Sequence, residues 1–267
     1  MTAAVATARI VRHAVVSGAR DYFEIWTWKS WTFGWLVRVF SQVTFFALIG
    51  QMLESPERTQ FLLIGNAVVV AGSSAVFAIN MTTAERAYGT LTLLVASPSR
   101  PAVVFAARGL YVAADGIATA LLALAVMGPL FGLSYPWPQA LLVVPLTALV
   151  GLAAYAFSTF LAGVIIRKRE ANGLVVNATI VSLMALCGVN VPVQFFPAPL
   201  EVLSRSLPVT HGLIAIRETI GGGGAGEILL NAGLEAGVGI AWLALALATF
   251  GRFVGHGRRD GSLDFAS

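Results

Sequence analysis

The sequence predicts an all-α membrane protein with six transmembrane helices. Of its 267 residues, 57% are hydrophobic and only 11% are charged, where an ordinary soluble domain carries about 25% charge. The mean hydropathy is +0.81. The charges cluster in short segments that separate six long apolar runs. These runs are continuous rather than alternating. Helices are therefore predicted over barrel strands, because a spanning helix satisfies its backbone internally.

The elements follow in order. Residues 9–31 mix Arg9, Arg12, Arg20 and Lys29 with Tyr22, Phe23, Trp26, Trp28 and Trp31, and Trp35 follows close behind. Rings at headgroup depth and charges in water suit an interfacial helix better than a frayed tail. The basic residues follow the first apolar ones, the reverse of a cleavable signal. Each apolar run has about the 20 residues needed to cross a ~30 Å hydrocarbon core. The spans are placed at 33–53, 61–82, 102–130, 138–166, 173–192 and 228–251. Between the second and third lies AERAYGTLTLLVASPSR, Ala84 to Arg100, a charged and turning segment that reads as a grip for something outside the bilayer. Residues 195–220 are amphipathic and broken near Pro208. Two short helices in an external re-entrant hairpin suit them, since a free loop would leave Leu200, Leu203, Leu207, Leu213, Ile214 and Ile216 wet.

Basic residues set the orientation. One set of loops and termini holds Arg9, Arg12, Arg20, Lys29, Arg86, Arg100, Arg108, Arg167, Lys168, Arg169, Arg252, Arg258 and Arg259. The other holds only Arg58, Arg205 and Arg217, with Arg38 inside the first span. Both termini are therefore expected in the cytoplasm. The net charge of +4 is no nucleic-acid signal, because these residues sit between spans. Richness in Ala, Val, Gly and Arg, with only two lysines, points to a high-GC bacterium and hence to its cytoplasmic membrane.

No catalytic or metal constellation is found. The Gly221–Gly224 run lacks the Lys and Ser/Thr of a phosphate loop, and His13, His211 and His256 lack ligand spacing. The lone Cys187 forms no internal disulfide. Gln42, Asn66, Asn80, Asn177 and Asn190 are polar residues in or near the first, second and fifth spans. They line a path or bond between helices, and the sequence does not separate the two. Asp115 lies near the middle of the third span, seven residues after Arg108. A carboxylate at that depth costs several kcal/mol unless it faces protein or water. It is a substrate-path or coupling residue, or a structural contact or a protonated acid, with the structural reading favoured. Glu235 sits near the outer end of the last span, between Gly233 and Gly237, a weak GxxxG-type signal.

Together these features resemble the permease subunit of type-2 (ABC-2) exporters, a family that exports drugs, lipids and polysaccharides. Glu85-Arg86, Gly89-Thr90-Leu91, Leu94 and Ser97-Pro98 match the family's E-[RK]-x-x-G-T-L-x-x-L-x-x-[ST]-P loop. Thr92 stands where the family usually has an acidic residue. The interfacial helix, the six spans and the hairpin with Pro208 and Arg217 extend the resemblance over nearly the whole chain. It implies a coupling helix at 84–98. Glu85 and Arg86 would make charged contacts with an ABC ATPase subunit. Gly89 would allow close packing, Leu91 and Leu94 would enter an apolar cleft, and Pro98 would end the helix. It also implies a dimer with an identical or related permease. ATP and Mg would belong to the partner ATPase, with no cofactor in this chain. The expected function is export of a hydrophobic or amphipathic, drug- or antibiotic-like substrate, with a lipid or lipid-linked glycan as the alternative. An intramembrane enzyme or an ion-coupled carrier would need several charged groups at one depth, and only Asp115 qualifies.

The charge asymmetry carries a direct test. In a Cys187→Ala background, an impermeant thiol reagent added to intact cells should label a cysteine placed at Gly223 and spare one placed at Ser262. The reverse pattern would overturn the orientation.

Overall fold

The computed structural model describes residues 3–25, 27–80, 101–166 and 169–259, and among them only helices and their connections occur. Helix α1 is Ala3–Ile25. A π-helical stretch, Ser30–Leu36, leads directly into α2, Val37–Met52. Helix α3 is Pro56–Val76. Helices α4, Pro101–Arg108, and α5, Leu110–Leu130, follow with only Gly109 between them. Helix α6 is Val143–Ile165 and α7 is Asn172–Leu186. The short pair α8, Ala198–Ser206, and α9, Thr210–Gly221, precedes the long α10, Ala225–Arg259.

Among the described residues, five stretches are long and apolar enough to cross a bilayer: Ser30–Met52, Pro56–Asn80, Ala106–Leu130, Gln139–Ile165 and Ala225–Arg252. They agree with five of the expected spans. The fifth expected span, 173–192, differs. Its helix stops at Leu186 after 15 residues, about 22 Å at 1.5 Å per residue and short of a ~30 Å core. Gly188 takes a left-handed φ of +75° and turns the chain out of the helix, although the apolar run continues past it. The N-terminal segment also shifts. Its helix ends at Ile25, and Trp28 and Trp31 fall at the start of the first span instead. The segment 84–98, with Glu85, Arg86, Gly89, Leu91, Leu94 and Pro98, lies outside the described residues.

Local chemistry explains the element ends. The Ser55 hydroxyl accepts from the Arg58 N–H at 3.3 Å, Pro56 occupies the first turn, and Glu57 sits at the positive end of the α3 dipole. At the far end of the hairpin, Gly222 closes α9 with a left-handed φ of +75°. The break between α8 and α9 falls at Leu207–Val209, where Pro208 was expected to place it.

Helix α3 is the centre of the bundle. In its apolar window 89% of residues are buried, against 11% for α10 at the periphery. It packs on α2, α5 and α6 and reaches α7 and α9. The core runs through Val68, Ala71, Val150, Ala154, Leu183, Leu213 and Ile216. Glycine lets the backbones approach. A Cβ on Gly116 of α5 would lie 2.6 Å from the Ser74 Cβ and 3.0 Å from the Ala71 carbonyl of α3. Such small-residue contacts replace the hydrophobic force that lipid cannot supply between helices.

Gly116→Leu is therefore expected to force α3 and α5 apart, at a cost of about 1–3 kcal/mol. The unfolding midpoint of the purified protein should fall. An unchanged midpoint would mean that the two helices do not meet at this glycine.

Candidate functional site

Three of the predicted path residues meet. Asn66, fully buried in the middle of α3, donates through Nδ2 to Asn190 Oδ1 at 2.9 Å and to the Leu62 carbonyl at 3.0 Å. Gln42 Nε2 of α2 points at Asn66 Oδ1 at 3.5 Å, and Asn190 Nδ2 reaches the Met184 carbonyl at 3.4 Å. An amide chain thus links α2, α3 and the turn after α7. The other candidates lie elsewhere. Asn80 accepts from Asn172 Nδ2 at 2.7 Å, joining the opposite end of α3 to the start of α7. Asn177 is exposed on α7 and donates to the Gly173 carbonyl within its own helix.

Asp115 is not with them. Its Oδ1 accepts from the Tyr22 hydroxyl of α1 and from Trp31 Nε1 at the head of the first span, both at 2.7 Å. Burial, and then the bond to Asp115, push the Tyr22 hydroxyl above its ordinary pKa. Tyr22 also packs on Tyr111 with ring centroids 5.2 Å apart, and Gly18 lies against the Arg108 carbonyl. The carboxylate thus binds both sides of the break between α1 and the first span. This geometry supports the structural reading of Asp115.

Two further polar residues matter more than the sequence suggested. Arg217 of α9 donates to the Gly188 carbonyl at 2.7 Å, the Phe61 carbonyl at 2.9 Å and the Val189 carbonyl at 3.0 Å. Its guanidinium lies 3.5 Å from the centroid of the Phe61 ring. No carboxylate among the described residues pairs with it. Burial pushes it down to about 9, so it stays charged at neutral pH. It clamps the head of α3 to the turn after α7, beside Asn190. Glu235 of α10 is fully buried and accepts the Val209 N–H at 2.7 Å and the Gly212 N–H at 2.9 Å. The signals were present: an acidic residue inside an apolar span and an arginine in an apolar hairpin. Glycine spacing drew attention away from Glu235, and Arg217 read as a loop charge.

Helices α2 and α9 are thus tied to the central α3 and to the turn after α7 by amides and one guanidinium. Comparison with protein families places this arrangement: the ABC-2 family transporter proteins match over residues 51–248. The chain belongs to the ABC-2 transporter family. It is a multi-pass integral membrane protein and a membrane component of an ABC transporter. Comparison with curated proteins and with solved structures yields no match. The ABC-2 match takes in α3, the 84–98 segment, Asp115, Asn190, Arg217 and Glu235. Gln42, Tyr22 and Trp31 lie ahead of it, so the Asp115 anchor joins the family core of this ABC-2 protein to its N-terminal segment.

A hydrogen bond to a charged group is worth about 1.5–3 kcal/mol. Asp115→Ala removes two and is expected to release α1. Amide hydrogen exchange over residues 3–25 should accelerate at least tenfold, the factor that about 1.4 kcal/mol represents. Asp115→Asn, which keeps one carbonyl oxygen, should accelerate it less. Unchanged exchange in the alanine variant would rule out the anchor.

Proposed function

We propose that this ABC-2 protein is the permease of an ATP-driven exporter, with ATP hydrolysed by a separate subunit that docks on residues 84–98. The observation that carries the reading is the position of the Glu85-Arg86…Gly89-Thr90-Leu91…Ser97-Pro98 segment. It falls inside the family match and between two helices of the bundle, α3 and α4. Docking energy applied there enters α3 directly through the chain.

The basic-residue asymmetry supports a cytoplasmic position for this segment and for both termini. The opposite, outer end of the bundle then carries the Met52–Pro56 turn and the hairpin, which we read as re-entrant. The short α7 and the turn after it together are read as the fifth crossing. The path is proposed between two copies, or two related permeases, along the first, second and fifth spans. Phe45 and Met52 on α2, and Leu174, Asn177 and Val181 on α7, are exposed. Exposed apolar side chains with the one amide of Asn177 among them suit a hydrophobic or amphipathic substrate. A drug-like molecule and a membrane lipid share that chemistry. Bacterial efflux across the cytoplasmic membrane, and antibiotic resistance with it, belong to the first case.

Two measurements test this reading. The purified chain should hydrolyse no ATP, and an ABC ATPase should co-purify with it. Glu85→Ala combined with Leu94→Asp should then uncouple the pair. A docked leucine contributes about 1.5–3 kcal/mol, an aspartate adds a buried unpaired charge, and a partly wet ion pair adds a smaller loss. Docking should weaken more than about a hundredfold. Insertion should survive, because neither residue lies within a proposed span. A double variant that reaches the membrane, retains its ATPase and exports normally would falsify the coupling role.

A further inference from the structure

The hairpin is fastened to the last span by one buried carboxylate. Glu235 is 0% exposed, and both of its oxygens are used, Oε1 by the Val209 N–H and Oε2 by the Gly212 N–H. No cation among the described residues pairs with it. An acidic side chain in an apolar span is costly, and here it is aimed at the start of α9, where the first N–H groups have no partner within their helix. Val209 cannot cap that end with its own side chain. It also holds a φ of +85°, an outlier for a β-branched residue that persists only when its surroundings impose it. Space is made for the carboxylate as well. A Cβ on Gly212 would lie 3.2 Å from Glu235 Cγ, close against Val150. A second tie runs nearby, from Trp242 Nε1 of α10 to the Ser206 carbonyl at the end of α8, at 3.0 Å.

Further along α9, Arg217 grips the Phe61, Gly188 and Val189 carbonyls of α3 and of the turn after α7. We propose that Glu235 is a positioning residue: it makes α9 and α10 one moving body, so that displacement of the last span reaches α3 and the turn after α7 through Arg217. The proposal rests on the export reading for its direction of motion, but the fastening itself does not.

Spin labels measure it in the full chain carrying Cys187→Ala. Val202→Cys on α8 and Leu230→Cys on α10 are exposed sites that span the fastening, while Val202→Cys with Met52→Cys reports the hairpin against the end of the first span. With Glu235 present, the 202–230 distance is expected to be narrow and equal in the nucleotide-free and vanadate-trapped complexes, whereas 202–52 shifts between them. Glu235→Gln keeps the size but turns one acceptor into a donor facing an N–H. It should broaden the 202–230 distribution in the permease alone and remove the nucleotide-dependent shift of 202–52. Glu235→Asp, still an acceptor at both oxygens, should recover part of that shift. A Glu235→Gln protein with the narrow distribution and the full shift would overturn the proposal. So would a 202–230 distance that changes with nucleotide while Glu235 is present, a comparison that decides even if the glutamine variant does not reach the membrane. Failure of any ATPase to bind the chain would sink the export reading alone, because the broadening is measured without it.

Discussion

Helix α3 has almost no surface of its own, and that constraint orders the rest of the bundle. Residues 62–72 are buried without a break. A helix enclosed on all sides needs small residues wherever a neighbour crosses, and it has them at Gly65, Ala67, Ala71, Gly72, Ser74 and Ala75. It also needs every polar group satisfied inside the protein, because neither lipid nor packed side chains will hydrate one. Asn66 meets that demand by bonding to its own helix and to Asn190 at once. Replacing it with an apolar residue would fill the space and lose the register between α3 and the turn after α7.

In lipid, apolar side chains gain little by meeting each other, so packing and polar contacts select which helices touch. The polar contacts are sparse and sit where the chain is irregular. Asp115 spans the break between α1 and the first span. Arg217 and Asn190 hold the turn that ends α7, and Glu235 holds the break between α8 and α9. Regular helices satisfy their own backbones, and irregular joints do not. Arg217 and Glu235 therefore appear where C=O and N–H groups would otherwise be orphaned, while Asp115 joins two side chains across its break. The buried charges thus read first as structural solutions, and only through motion as functional ones.

This division explains what could be read from the sequence. Hydropathy reports the length of an apolar run, so 61–82 and 138–166 were placed close to α3 and α6. It does not report φ, so the run through Val189–Val193 concealed the turn that Gly188 makes. Pro208 marked the hairpin break because proline acts on its own neighbourhood. Gln42, Asn66 and Asn190 were recognisable as polar residues in apolar surroundings. Their meeting was not, since it depends on the crossing of α2, α3 and α7, and nothing in a single sequence encodes which helices cross. Arg217 failed for a related reason: its acceptors are backbone carbonyls, which every residue carries.

The same contacts define how force could travel. Pro56–Asn80 is a run of 25 residues, about 37 Å at 1.5 Å per residue. One end continues into the segment proposed to meet the ATPase, and the other carries the Phe61 carbonyl that Arg217 holds. A buried helix with close glycine contacts resists bending, because its neighbours would have to repack along its whole length. A push at the end proposed to meet the ATPase would then be felt at the hairpin as a displacement of the helix. The irregular joints are the π-helical turns at Ser30–Leu36 and the turn after Leu186. π-Helical turns are locally underbonded and frequent at functional positions. Both joints border the first and fifth spans, two of the three helices proposed to line the path. Motion would therefore concentrate where the path is proposed, while α3, α5 and α6 move as a block.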